Sequence, residues 1–384
     1  MIKVIELFAG YGSQSLALEN LGIPHEVVAI SEIDKYALQA YSQLHEGKCP
    51  NLGDITKIIE LEHCDLLTYS FPCTSVSGAG KQEGLEEGSG TASSLLWECR
   101  RLIQSSKPKY LLMENVKALT SKKFKPYFDK WLDELEGMGY KNHWKIINAK
   151  EYLPQNRERV FCVSIRNDIE NNFNFDNVKN QNEMTLRLKD MLESEVDEKY
   201  YLKETVNFNL RNQDISYCID ANYHKGTNVK QFQEKGRRQI IQVDMLDIKG
   251  NEQVRRVCSD EGLSPTLNTM QDGNRQPKVL QEVINPLKDK TNYGWHFEQQ
   301  VYDINEITRT IKAGGGSGNI PKTIIDFRIR KLTPKECLRL MGLRDDQIDK
   351  MKGISNSQLY KMAGNSIVIP VLEAIFKELF KKLD

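Results

Sequence analysis

Nothing in this 384-residue chain arranges its eight cysteines as a framework: they stand at 49, 64, 73, 99, 162, 218, 258 and 337, without a single C-x-x-C pair. That scatter predicts neither a disulfide scaffold nor a zinc site, so the thiols are expected to be reduced and no metal is called for. Also missing is an excess of one charge. Lysine plus arginine equals aspartate plus glutamate at 53 each, so any case for a nucleic-acid partner rests on local clusters, such as "KGRR" ending in Arg237-Arg238. No apolar run of about 18 residues stands out, and "MIKVIELFAG" lacks the charged region, apolar stretch and cleavage site of a signal peptide. A cytoplasmic protein without a membrane span is expected. The first glycine-rich turn lacks G-x-G-x-x-G, which counts against an NAD dehydrogenase.

What is present points to a large core and more than one domain, with 39% hydrophobic and 28% charged residues. From Lys3 to about Arg166, short apolar strands alternate with helical stretches: "KVIELFAG", "SQSLALENLG", "HEVVAISE", "KYALQAYSQLH", "CDLLTYS", "SSLLWECRRLIQS", "KYLLMENV", "FKPYFDKWLDELEGMG", "HWKIINA" and "RVFCVSIR". This rhythm predicts an α/β fold with a mostly parallel sheet covered on both faces. It fails over residues 186–327, which are polar with weak strands and Gly/Asn-rich turns, and helix returns at "TPKECLRLMG". Residues 1–185 and 328–384 are therefore expected to form one domain and 186–327 an inserted, mostly β or irregular one. Inside the insert, "SPTLNTMQDGNRQPK" and "TRTIKAGGGSGNIPK" align without gaps, which predicts a duplicated strand–loop–strand unit. Their loops carry Asn268, Gln271, Asn274, Arg275, Lys312 and Asn319, side-chain types that read base edges in DNA.

The stretch "LLTYSFPCTSVSGAGKQ" sets Cys73 beside Pro72 just past an apolar strand, ahead of a run rich in glycine. A nucleophile under a closing loop and a buried structural cysteine both fit that pattern. Upstream, "ELFAGYGSQS" places glycines between strand and helix. "AISEIDKYA" brings Glu32 to the next strand end, and Gly53-Asp54-Ile55 forms a third turn. Three such strand ends describe an adenosine-type ligand on the carboxyl edge of the sheet.

Taken in order, "ELFAGYGS", "EIDKYA", "GDI", "SFPCTSVS", "MENV", "QNRER", "RKLTPKECLRLMG" and "MAGNSIVIP" resemble the motif series of the bacterial and phage DNA (cytosine-5)-methyltransferases. The resemblance covers nearly the whole chain outside the insert. It implies a Rossmann-like fold that uses S-adenosylmethionine, returns S-adenosylhomocysteine, and methylates carbon 5 of a cytosine flipped out of duplex DNA, with the insert as target-recognition domain. Cys73 is then the thiolate that adds to the ring. Glu114 is the acid at ring nitrogen 3. Arg157 and Arg159, alternate residues of an extended segment, are both expected to favour the thiolate and neutralise nearby phosphate, and Arg159 to orient the base.

For the cofactor the resemblance implies Phe8, Ala9, Gly10, Gly12, Glu32, Ile33, Asp54, Ile55, Pro72, Leu95, Asn365 and Ser366. For DNA, Ser77, Lys81 and Gln82 of the closing loop join Arg237, Arg238 and the insert residues above. The helix from about Pro370 is expected to pack beside the first one. Ala92 stands where the family commonly has an arginine, which removes one expected anchor of the closing loop. Two settings fit: the modifying half of a restriction system, with a separate endonuclease, or an orphan phage-type enzyme; a monomer is the simpler state. A tRNA methyltransferase of the same fold and a catalytically silent DNA-binding relative are the alternatives.

Overall fold

The computed structural model describes residues 1–46, 49–76, 85–180, 185–200, 244–245, 256–259, 278–281, 301–302, 322–323 and 328–381. The chain divides into two compact units, one built on Met1–Met191 and Pro334–Asp384, the other on Leu192–Gly262 and Gln276–Thr333.

The first unit begins with strand β1 (Ile2–Leu7), helix α1 (Ser13–Asn20), β2 (His25–Ser31), α2 (Lys35–Leu44) and β3 (Leu66–Tyr69). It continues through α3 (Leu96–Ser106), β4 (Tyr110–Val116), α4 (Lys125–Gly137), β5 (Tyr140–Asn148) and β6 (Glu158–Arg166), then closes with α5 (Pro334–Arg339), α6 (Asp345–Lys350), α7 (Asn356–Asn365) and α8 (Ile369–Leu379). The strands form one sheet in the order β2-β1-β3-β4-β6-β5. β1 to β4 run parallel, whereas β6 is antiparallel to both β4 and β5.

β3 is buried throughout, and β1 is buried apart from Lys3 and carries the buried Glu6, as central parallel strands covered on both faces are. Beneath them Trp131 meets Tyr69 and Trp97 edge to face, and its indole N–H donates to the Tyr69 hydroxyl at 3.1 Å. This pairing satisfies the polar tips of two fully buried rings. α8 packs on α1, with Val371, Leu372, Ile375 and Leu379 in the core.

As expected, β3 stops at Tyr69, before Pro72; Asn115 holds the turn that follows, its side-chain amide donating to the Phe71 carbonyl at 2.9 Å. Two other sequence expectations need adjustment. β5 starts at Tyr140, because Tyr140 pairs with Arg166 at the far end of β6. Finally, Asn356–Leu379 is long and apolar enough to cross a membrane by length and composition. It is nonetheless broken between α7 and α8, and 61% of its most apolar window is buried inside the fold.

In the second unit the described elements are a 3-10 turn over Glu198–Tyr200 and short strands. β7 (Asp244–Met245), β8 (Arg256–Ser259), β9 (Lys278–Gln281) and β12 (Arg328–Lys331) form a sheet in the order β12-β9-β8-β7, and β10 (Val301–Tyr302) pairs with β11 (Lys322–Thr323). Lys278 and Lys322, aligned in the two repeat copies, each open a strand. The remainder of the repeats, including Asn268, Gln271, Asn274, Arg275, Lys312 and Asn319, lies outside the described residues, as do Arg237, Arg238, Ser77, Lys81 and Gln82.

Candidate active site

Strand direction decides what gathers at the carboxyl edge of the sheet. The parallel strands deliver the residues that follow them, while antiparallel β6 delivers the residues at its own start. In the register Val116 faces Arg159, so Glu114, two residues earlier on the same face of β4, lies diagonally across from that guanidinium. Nε of Arg159 stands 3.2 Å from a Glu114 carboxylate oxygen. Cys73, Glu114, Arg157 and Arg159 line one cavity of about 310 Å³.

Burial pushes the Cys73 thiol above its ordinary range; Arg159 opposes this most strongly, Glu114 adds to it, and Arg157 again opposes. Glu114, only 7% exposed, is likewise pushed up by burial against the pull of Arg159 and Arg157, which favours its protonated form. Arg157 serves another end as well. It is 3% exposed, and its Nη2 donates to the carbonyls of Gly364 at 2.9 Å and Ser366 at 2.8 Å. It thereby ties the start of β6 to the end of α7, and burial leaves it no reach toward a phosphate outside, as had been expected of both arginines.

The Cys73 turn is held by a residue that sequence reasoning missed. Ser93, fully buried, donates its hydroxyl to the Pro72 carbonyl at 2.6 Å and accepts from the Ser75 amide at 3.1 Å, bracketing Cys73 on both sides. Its only signal in sequence is a hydroxyl within "GTASSLL", next to Ala92 and the absent arginine.

The other end of the cavity is built from the turns that follow β1 and β2 and from the Gly53-Asp54-Ile55 turn, which comes between α2 and β3 rather than at the strand end expected from sequence. Phe8 and Gly10 have φ of 56° and 60°, conformations that glycine adopts freely and phenylalanine rarely. A methyl group added at Gly10, or at Gly53 with φ 72°, would meet nothing within 4 Å, so the cavity wall is open at both points. Ile33 is 77% exposed at this wall, an apolar surface awaiting a partner, and Ile55 is buried behind it. Arg101 of α3 donates to the carbonyls of Ile55 and Ile58 and so fixes the turn that presents Asp54.

Glu32 lines the cavity, but its carboxylate already accepts from the amides of Gly10, Ile33 and Asp34 at 2.8–2.9 Å. It organises the first two turns in addition to any hydroxyl it meets. Phe8, Ala9, Asp54, Pro72, Leu95, Asn365 and Ser366 all line the cavity as expected from the motifs. Gly12 does not. A Cβ there would lie 2.3 Å from Nε2 of His45, so this glycine makes room for a histidine rather than a ligand. Lys361 of α7, not anticipated, also lines the cavity and pairs with Asp34 at 2.6 Å.

Comparison with known proteins agrees across the chain. A family model described as C-5 cytosine-specific DNA methylase matches residues 2–381. Type II methyltransferase M2.ScrFI of Lactococcus lactis subsp. cremoris is 37% identical, over 99% of this chain and 99% of its own. Orphan methyltransferase M.SPBetaI of Bacillus phage SPbeta is 34% identical over 98% and 97%. Among solved structures, S. pombe Dnmt2 methyltransferase superposes with a TM-score of 0.61 at 17% identity, covering both chains fully. A putative DNA modification methyltransferase encoded within an E. coli prophage gives 0.60 at 17%, covering 100% of this chain and 99% of its own. At such identities the structural likeness speaks to the fold alone.

Proposed function

The chain belongs to the C-5 cytosine-specific DNA methylase family and is a DNA cytosine-5 methyltransferase, and from this premise we propose how its cavity carries the chemistry. The observation that supports the assignment is the meeting of Cys73, Glu114 and Arg159 in the cavity that the Gly10, Glu32 and Gly53 turns also line. The Cys73 thiolate adds to carbon 6 of the cytosine, and the electron pair displaced from the ring double bond makes carbon 5 nucleophilic. Glu114 donates a hydrogen bond or proton to ring nitrogen 3, where charge would otherwise collect. Arg159 fixes the exocyclic oxygen and, by its charge, favours the thiolate.

S-adenosylmethionine, held by the Phe8–Gly10 turn, Ile33, Asp54 and the Asn365-Ser366 segment, supplies an electrophilic methyl group on sulfur. The open walls at Gly10 and Gly53 and the exposed Ile33 surface fit the adenosine part of such a molecule. Because carbon 6 is blocked by stacking inside a duplex, the target base is extruded before it reaches Cys73. Residues 186–327 serve as the target-recognition domain. The protein acts in the cytoplasm as a monomer, beside a separate restriction endonuclease or as an orphan enzyme.

Bisulfite sequencing of DNA from cells expressing the protein checks this reading: 5-methylcytosine is expected at one position of one short sequence. Unmodified DNA alongside labelled tRNA would refute it. A second expectation concerns Ser93. Ser93→Ala leaves the buried Ser75 amide without its acceptor, a cost of about 1–3 kcal/mol, and frees the Cys73 turn. Methyl transfer in a single turnover is expected to slow about tenfold for about 1.4 kcal/mol of lost positioning, with cofactor affinity little changed. Unaltered single-turnover rates would remove Ser93 from the positioning of Cys73.

A further inference from the structure

Behind the glycine turn, away from the cavity lining, sits a buried histidine whose hydrogen bonds specify its charge. Nδ1 of His45 lies 3.2 Å from a Glu19 carboxylate oxygen, and Nε2 lies 3.1 Å from the carbonyl oxygen of Tyr11. Both partners accept and neither donates. A neutral imidazole carries one N–H, so only the imidazolium satisfies both contacts at once. The ring is 8% exposed, rests against Tyr41 with centroids 4.4 Å apart, and occupies the space that a side chain on Gly12 would need.

The groups facing the ring come from every element around it. Glu19 reaches it from α1, and Glu6 from β1. The Glu6 carboxylate is fully buried, with one oxygen accepting from the amide and hydroxyl of Ser15. Tyr41 comes from α2 itself, the Tyr11 carbonyl from the turn, and Cys49 lies near Glu6 beyond it. Burial pulls the His45 proton off; Glu19, Glu6 and the Tyr11 carbonyl outweigh it and hold the ring above the usual histidine range. Burial pushes up on Glu19 too, but its bond to His45 prevails and keeps that carboxylate ionised, with His25 and Lys350 assisting.

We propose that His45 is the positioning residue of the cofactor turn: as a doubly donating cation it clamps the Tyr11 carbonyl to α1, and on losing a proton it lets that turn loosen. Tyr11 itself lines the cavity, so the clamp sets the wall against which the cofactor lies. The proposal rests on reading that cavity as the cofactor pocket. Below the His45 pKa the ring is charged and the turn is fixed; as pH rises through that pKa one ring nitrogen becomes an acceptor facing an oxygen, and affinity falls. Cofactor binding, which favours the ordered turn, in turn strengthens the hold on the proton.

The test uses the full chain. Nitrogen NMR of labelled histidine, with His45 assigned by its loss in His45→Gln, is expected to show both ring nitrogens protonated at neutral pH. Calorimetry with S-adenosylhomocysteine between pH 6 and 9 is expected to show affinity falling about five- to tenfold more in the wild type than in His45→Gln. Glu19→Gln, a change at a half-exposed site, should move the midpoint to lower pH. A neutral His45 ring at pH 6, or parallel profiles for wild type and His45→Gln, would overturn the proposal. Should His45→Gln fail to fold, an unmoved midpoint in Glu19→Gln overturns it instead. If the wild type binds no S-adenosylhomocysteine at any pH, it is the cofactor reading that fails, taking this inference with it.

Discussion

Cys73→Ala is expected to lower single-turnover methyl transfer on the order of 10⁴-fold or more, the scale on which a covalent nucleophile is missed. That corresponds to about 5.5 kcal/mol of transition-state stabilisation, since each tenfold step is about 1.4 kcal/mol. The cost is large because carbon 5 of an intact cytosine is a poor nucleophile; it becomes a strong one only while carbon 6 is bonded to sulfur. DNA binding and its salt dependence should survive, because they come from phosphate contacts rather than from this thiol. The measurement is transfer of labelled methyl from S-adenosylmethionine, paired with an oligonucleotide carrying 5-fluorocytosine at the methylation site. Wild type should become covalently attached through Cys73 and the variant should not. A variant within tenfold of wild type would remove the adduct from the mechanism.

Glu114→Gln should slow the chemical step by about 10²- to 10⁴-fold, the range of a general acid, and should also change the shape of the pH profile. Burial raises both Glu114 and Cys73 above their ordinary values. The reactive form, thiolate with carboxylic acid, carries the same number of protons as its tautomer, thiol with carboxylate. Between the two macroscopic pKa values the proton count of the pair is therefore fixed and the wild-type rate should be flat. It should fall on the acid side as the thiolate is protonated and on the alkaline side as Glu114 is emptied. In Glu114→Gln only the thiol titrates, so the rate should climb continuously with pH until Cys73 is ionised. A profile parallel to wild type in the variant would show that Glu114 holds no proton of consequence.

The strand and helix alternation of the first unit was legible because its strands are short, largely apolar runs closed by turn signals. Local chemistry was enough to bring Gly10, Asp54 and Cys73 to one cavity. It did not suffice where a side chain acts at long range. Ser93 lies 18 residues from the amide it bonds, and Arg157 lies 207 residues from the Gly364 carbonyl. Gly12 misled for a related reason: its missing side chain matters, but the space it leaves is filled by His45 from the end of α2 rather than by a ligand. Glu32 had the right place but more partners than spacing implied, since amides from two turns converge on it. The insert offered composition and a repeat, and base-reading residues depend on loop geometry that neither determines.

The clasp between Arg157 and the carbonyls of Gly364 and Ser366 bears on how the protein is made. At about 5–20 residues per second, the ribosome adds the 207 residues between donor and acceptor in about 10–40 s. During that interval the nascent chain already contains Cys73, Glu114 and Arg159, yet the carbonyls that hold Arg157 have not been made. The last wall of the cavity therefore closes only when the chain is nearly finished.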